Sequence, residues 1–233
     1  MKMKSNPSPE SLFLDNSTMI RVLVLVLISF ICVVGVSRTS AKPRASVFKV
    51  MSSRAEKGED NKIQIIHSAG TAFAVGKRSV ITAAHNVSDR KSRVFYEDIK
   101  ILTENGWVKC KVSKKSHLDI CELELDSDVS ECVLAAGDAD PGKSVELYGS
   151  VNAAPISHAE GKVIRKYHSD LVYTLAELRF DHGCSGGPVI SGGRVVGMVV
   201  AGVPTTNGKL DTGKCLYLPV QVIRQFLAGE IEE

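Results

Sequence analysis

The sequence holds no C-x-x-C pair and no His/Cys cluster at zinc-ligand spacing, so metal binding by its six cysteines is not expected. A strong excess of either charge is also missing. The formal net charge is only +3, with 29 Lys and Arg against 26 Asp and Glu. Nucleic-acid-binding domains carry a clear basic face, so no nucleic-acid partner is expected. The short basic clusters Lys111-Lys114-Lys115 and Arg90-Lys91-Arg93 read as solvated loops. Internal repeats and low-complexity tracts are absent, and helical periodicity is missing until the C-terminal end.

Long apolar runs are equally scarce. The single candidate, residues 22–36, is shorter than the ~20 residues that a comfortable membrane helix needs. It suits the apolar region of an export signal, with Arg21 before it and the small residues Thr39-Ser40-Ala41 after it. A retained anchor over residues 19–36, flanked by Arg21 and Arg38, is the alternative. Residues 1–43 are therefore expected to be a targeting segment, and the protein secreted, periplasmic or membrane-anchored. Cys32 lies in this run. Without it five cysteines remain, an odd number, so at least one is free or bonded to another chain.

Residues 44–60 are polar and of mixed charge, and read as a linker with room for a short strand at 46–50. From Ile63 onward, short β-branched and apolar runs alternate with turn signals such as Glu104-Asn105-Gly106. Strands are expected at 63–66, 71–75, 79–82, 99–102, 108–112 and 120–125. After Cys132 the rhythm repeats, at 144–151, 158–167, 171–178, 188–190, 195–202 and 216–220. This spacing predicts an all-β barrel or sandwich. Val222, Ile223, Phe226 and Leu227 fall at helical spacing, which predicts a terminal helix over 221–227.

Two strings carry chemistry. In His182-Gly183-Cys184-Ser185-Gly186-Gly187-Pro188 a serine hydroxyl is embedded in a glycine-rich turn between apolar runs. Such a hydroxyl needs a base to become a nucleophile and N–H donors to hold the resulting oxyanion. Gly183 allows a curl that aims its own N–H and that of Ser185 at one spot. Upstream, Thr82-Ala83-Ala84-His85 closes a strand with small residues and leaves a histidine, the natural base near neutral pH, at its end. Between them, Asp119 opens the apolar string Ile120-Cys121-Glu122-Leu123. Glu97, Asp98, Asp126 and Asp128 are the competing carboxylates.

These strings resemble those of the chymotrypsin-like serine peptidases: the Gly-Asp-Ser-Gly-Gly-Pro nucleophile motif, Thr-Ala-Ala-His around the base, and the Asp-(Ile/Leu)-Ala-Leu pattern at the third member, with Cys121 in its small apolar slot. The chain order His85, Asp119, Ser185 is also that of the family. Over residues ~60–228 the resemblance implies two six-stranded antiparallel β-barrels with the active site between them and a short C-terminal helix. The first barrel, 61–130, would supply His85 and Asp119. The second, 131–233, would supply Ser185 and the oxyanion donors Gly183 and Ser185. Val200, Ala201 and Gly202 would be the edge that pairs with a polypeptide substrate. No cofactor and no metal is required.

Departures from the family pattern shape the reading further. Its digestive members carry a cysteine after the base and an aspartate before the nucleophile, where this chain has Asn86 and Cys184. That disulfide cannot form, and activation by a freshly cut N-terminus is not expected. The chain looks closer to the compact bacterial or viral enzymes and to the protease part of the Deg/HtrA group, without a PDZ domain. Cys184 lies one residue away from the glycine pair, so a structural or redox role is expected for it. Arg179 and His182 lie just ahead of the motif; a basic pocket base would favour acidic side chains, but Arg179 reads as exposed. Asn86-Val87-Ser88 matches a glycosylation signal by chance, since a glycan there would block the cleft. The expected function is a serine endopeptidase acting through an acyl-enzyme. The alternatives are a silent homologue that binds peptides or acts as a scaffold, and a purely structural barrel.

Overall fold

Twelve strands curl into two closed antiparallel barrels in a computed structural model that describes residues 43–57, 61–89, 94–166 and 172–231. All of these lie in the compact unit Ser40–Glu233. The expected targeting segment falls outside the described residues. Among the described residues no helix is long and apolar enough to cross a membrane.

The first barrel contains β1 (Val47–Lys57), β2 (Ile63–Gly76), β3 (Ser79–Ala83), β4 (Asp98–Thr103), β5 (Gly106–Ser116) and β6 (Ile120–Leu125). The second contains β7 (Ser144–Gly149), β8 (Ser157–Lys166), β9 (Thr174–Glu177), β10 (Pro188–Ser191), β11 (Arg194–Pro204) and β12 (Leu210–Pro219). Their neighbour orders are β1-β2-β3-β6-β5-β4 and β7-β8-β9-β12-β11-β10. The halves thus share one strand order without sharing sequence. The β1–β4 and β7–β10 pairings close the two barrels.

Three expectations need correction. Residues 47–57 are not linker but the first strand, paired with β2 along its full length and with β4 over Lys49–Ser53. The apolar signal is confined to the first half, Val47, Phe48, Val50 and Met51; the outer half is polar because it runs into solvent. The runs at 63–66 and 71–75 are one 14-residue strand. Its small residues Ser68-Ala69-Gly70 imitate a turn, yet they stay extended against β1. Lys111, Lys114 and Lys115 are on β5, where half-buried and exposed positions alternate over most of its length. Arg90, Lys91 and Arg93 lie outside the described residues.

Alternation explains the packing, because successive side chains of a strand point to opposite faces. Ala72, Ala74, Val80, Cys121 and Leu123 point into the first barrel. Val163, Ala176, Val196 and Val199 point into the second. Their neighbours Phe73, Ile81 and Ile120 turn the other way and meet Val195, Met198, Val200 and Leu218 in a core shared by the two barrels.

The C-terminal helix α1 (Val220–Ala228) seals this shared core with Val222, Ile223 and Phe226. Gly229, at φ +83°, ends it. Glu230 N–H donates to Gln225 C=O and Gly229 N–H to Phe226 C=O, which satisfies the last carbonyls. From the first barrel, the Lys114 ammonium donates to Phe226 C=O at 2.6 Å and lies 5.2 Å from the Phe226 ring centre. Replacing Phe226 with alanine empties the centre of the shared core. Phe226→Ala should lower the unfolding free energy by ~3–5 kcal/mol, read from chemical denaturation; a loss under ~1 kcal/mol would mean that the helix does not seal this core.

Candidate active site

Strand β3 runs out at Ala83, and one turn of 3-10 helix, Ala84–Asn86, swings His85 off the barrel edge. The turn between β5 and β6 brings Asp119 beneath it. Asp119 has φ +62°, a left-handed conformation that aspartate tolerates better than most residues. Its backbone carbonyl accepts from Ala84 N–H at 3.1 Å. Its carboxylate accepts from His85 N–H at 2.9 Å and lies 2.6 Å from His85 Nδ1. One aspartate thereby fixes both backbone and ring of the histidine and places the proton of the neutral imidazole on Nδ1. Nε2 is left as the basic nitrogen. Two of the four competitors are engaged elsewhere, Asp98 with Lys100 and Asp128 with Arg78.

The nucleophile loop enters from the second barrel. Asn152 N–H donates to His182 C=O at 2.7 Å, and Gly187 N–H to Cys184 C=O at 2.9 Å. In a trans peptide the C=O and N–H point in opposite directions. Both bonds therefore turn the N–H groups of Gly183 and Ser185 the other way, and neither meets an acceptor among the described residues. Gly183 is required here. It has φ +94°, and a Cβ would lie 2.1 Å from Ser150 O. The supporting turn, Val151–Ala153, has two non-glycine residues at positive φ, Asn152 (+47°) and Ala153 (+62°). Lys49, on β1, donates to Ala153 C=O at 2.7 Å and ties this turn to the first barrel.

A buried polar cluster links the two loops. Thr71 N–H donates to Ser185 C=O at 2.9 Å, and the Thr71 hydroxyl donates to Gly183 C=O at 2.7 Å. That hydroxyl also accepts from Ser150 N–H at 2.9 Å, and Thr71 C=O accepts from the Thr82 hydroxyl at 2.7 Å. Thr71, Thr82, Asn86 and Ser150 are all buried. Sequence reasoning missed Lys49, Thr71 and Ser150. Their partners lie from 79 to 112 positions away, and no local pattern marks them.

His85, Gly183, Ser185, Val200, Ala201 and Gly202 line one cleft of about 420 Å³, and Asp119 stands behind His85. No hydrogen bond joins His85 to Ser185 in the resting site, a gap that catalytic pairs commonly close when substrate binds. Beyond Met198, β11 loses its β10 partner and keeps only β12, which leaves one edge of Val200–Gly202 open. Phe180 and Leu210 make the inner wall apolar. Arg179 is exposed and lines a different cavity, together with His158, Asp181 and Cys184. Arg179 therefore does not form the base of this cleft, whereas His182 borders it.

All five described cysteines are free. Burial pushes the thiols of Cys121 and Cys215 up to about 12, and raises that of Cys184 as well. This direction favours the protonated thiol and opposes nucleophilic activation, which needs a lowered pKa. Asn86 is 2% exposed and its amide is engaged at short range, so a glycan has no place on it.

A family model described as a trypsin-like peptidase domain matches residues 70–198. The mitochondrial Do-like 11 protein of Arabidopsis thaliana is 33% identical over 168 residues, covering 66% of this chain and 30% of its own length. Serine protease HTRA1B of Danio rerio is 28% identical over 178 residues, covering 71% of this chain and 35% of its own. The chain thus spans about a third of the length of these relatives. Among solved structures, the Rv3671c protease of M. tuberculosis in its active form superposes with a TM-score of 0.66 at 19% identity. That match covers 82% of this chain and 83% of the other, and shows a shared fold.

A thiol raised to about 12 is ionised in only ~1 molecule in 10⁴ at pH 8. Iodoacetamide at that pH should leave Cys121, Cys184 and Cys215 unmodified in the folded protein and alkylate them in denaturant. Rapid alkylation of native Cys184, read by peptide mass spectrometry, would contradict its placement as a buried, inert thiol.

Proposed function

Since the chain belongs to the trypsin-like peptidase family, we propose that it is a serine endopeptidase whose triad is His85, Asp119 and Ser185. The observation that carries this reading is the double hold of Asp119 on His85, through the backbone N–H and Nδ1 together. A carboxylate placed there keeps the ring in the tautomer that can accept a proton, and stabilises the imidazolium that follows.

The steps follow from that arrangement. The Ser185 hydroxyl attacks a peptide carbonyl while His85 Nε2 takes its proton. The carbonyl π electrons move to oxygen, and the N–H groups of Gly183 and Ser185 receive the oxyanion. His85 then protonates the leaving amine as the C–N bond breaks. Water, deprotonated by His85, attacks the acyl-enzyme and releases the acid, returning the proton to Ser185. The substrate backbone lies along the open edge of Val200, Ala201 and Gly202 as an added strand. The residue before the scissile bond enters the wall of Phe180, Val200 and Leu210, which suits an aliphatic side chain and sets a charged one against apolar carbon, with His85 and His182 the ionisable groups at the border. By its sequence, the run at 19–36 extends the proposal to an exported or membrane-attached peptidase.

A fluorophosphonate probe should label the full chain, and Ser185→Ala should abolish labelling while Cys184→Ala keeps it. Asp119→Asn should cut kcat by ~10⁴-fold by stabilising the wrong tautomer. Folded wild type that stays unlabelled would instead point to a peptide-binding homologue. Labelling lost with Cys184→Ala would move the nucleophile by one residue. Peptides with valine or leucine before the scissile bond should exceed those with aspartate or arginine there by at least ~10-fold in kcat/KM.

A further inference from the structure

Asn86 follows the base directly in sequence, yet its side chain does not face solvent or the barrel interior. Its amide nitrogen donates to Ser185 C=O at 2.8 Å and to the Thr82 hydroxyl at 3.0 Å. Its own backbone carbonyl accepts from the Ser52 hydroxyl at 2.6 Å, which anchors the residue to β1. Together with Thr71 N–H, at 2.9 Å, the amide gives the Ser185 carbonyl two donors, both from the first barrel. The backbone of the nucleophile is thus oriented from across the cleft by the residue beside the base.

The socket for this side chain is made by an absence. Gly70 lies opposite, and a Cβ there would sit 2.1 Å from Asn86 Nδ2 and 2.3 Å from its Cγ. No residue other than glycine fits at 70 while the amide keeps its place. A filler of similar size but without a donor would preserve packing and leave the Ser185 carbonyl with one bond fewer. An ionised carboxylate would set an acceptor against an acceptor.

We propose that Asn86 is a positioning residue for catalysis: its side-chain amide couples the base turn to the nucleophile backbone, so that His85 and Ser185 hold their separation although they come from different barrels. This rests on the serine-endopeptidase reading above. Asn86 borders the cleft, but its amide is engaged by Ser185 C=O and the Thr82 hydroxyl rather than by a reacting atom, so it acts through Ser185. Its loss should therefore slow the attack of Ser185 while leaving the substrate edge at Val200, Ala201 and Gly202 undisturbed.

The test uses the full chain and compares Asn86→Ala, Asn86→Asp and Val87→Ala. The last variant removes buried apolar atoms from the neighbouring residue and leaves the amide in place. The expected result is fluorophosphonate labelling slowed at least tenfold in Asn86→Ala and further in Asn86→Asp. The loss should fall on kcat for a peptide substrate, with KM within twofold of wild type. Val87→Ala should label within twofold of wild type even where its melting temperature drops. Equal labelling of Asn86→Ala and wild type overturns the proposal, as does an equal slowing by Val87→Ala. Wild type that fails to label removes the peptidase reading itself, a result distinct from either. Should the Asn86 variants not fold, the wild-type side-chain amide decides by NMR. Exchange of its protons protected for hours is expected, and exchange within seconds overturns the clamp.

Discussion

Each polar group of Thr71 crosses or braces the seam between the barrels. Its N–H holds the Ser185 carbonyl, its hydroxyl joins Gly183 to Ser150, and its carbonyl takes the Thr82 hydroxyl. Barrel-to-barrel burial through Phe73, Ile81, Met198 and Phe226 supplies most of the attraction, but apolar contact has no direction. The cluster around Thr71 gives it direction. Unpaired, these buried groups would each cost ~1–3 kcal/mol, so sliding one barrel against the other is penalised at several atoms at once. The geometry of the site is in this sense a property of the seam rather than of either barrel.

How much of this could be read in advance follows from the range over which each residue acts. His85, Asp119 and Ser185 were legible because local strings surround them: small residues ahead of the histidine, an apolar run after the aspartate, glycines around the serine. The strand rhythm was legible because burial alternates along each strand. The residues that hold the site together act through single long-range hydrogen bonds instead. Thr71 looked like one more strand threonine and Lys49 like a surface lysine. Asn86 stands out in the sequence for the cysteine it displaces and for a chance glycosylation signal, and neither points to its bond with Ser185. The outer half of β1 is polar and runs into solvent, so that stretch reads as linker, and Lys114 reads as a loop residue although its ammonium caps the helix of the other barrel. The polar outer faces of strands carry no periodic apolar signal, and so their pairing stays hidden.

The cysteines complete this picture. Cys121, Cys184 and Cys215 are packed as small apolar side chains, and the seam is held by amides and hydroxyls. Among the described residues every cysteine is free, so no disulfide joins the two barrels there. Burial that keeps these thiols protonated also keeps them from competing with Ser185 for electrophiles.

The turn Val151–Ala153 has a different character from the rest. Asn152 and Ala153 are both in left-handed backbone conformations that non-glycine residues reach at a cost of ~1–3 kcal/mol each. Against that, the turn is held by the Lys49 ammonium on Ala153 C=O, the Asn152 bond to His182 C=O and the Ser150 hydroxyl on Ala154 C=O. The turn thereby couples the first barrel to the Ser185 loop: the tethers that hold its left-handed residues also set which way the His182–Gly183 peptide faces.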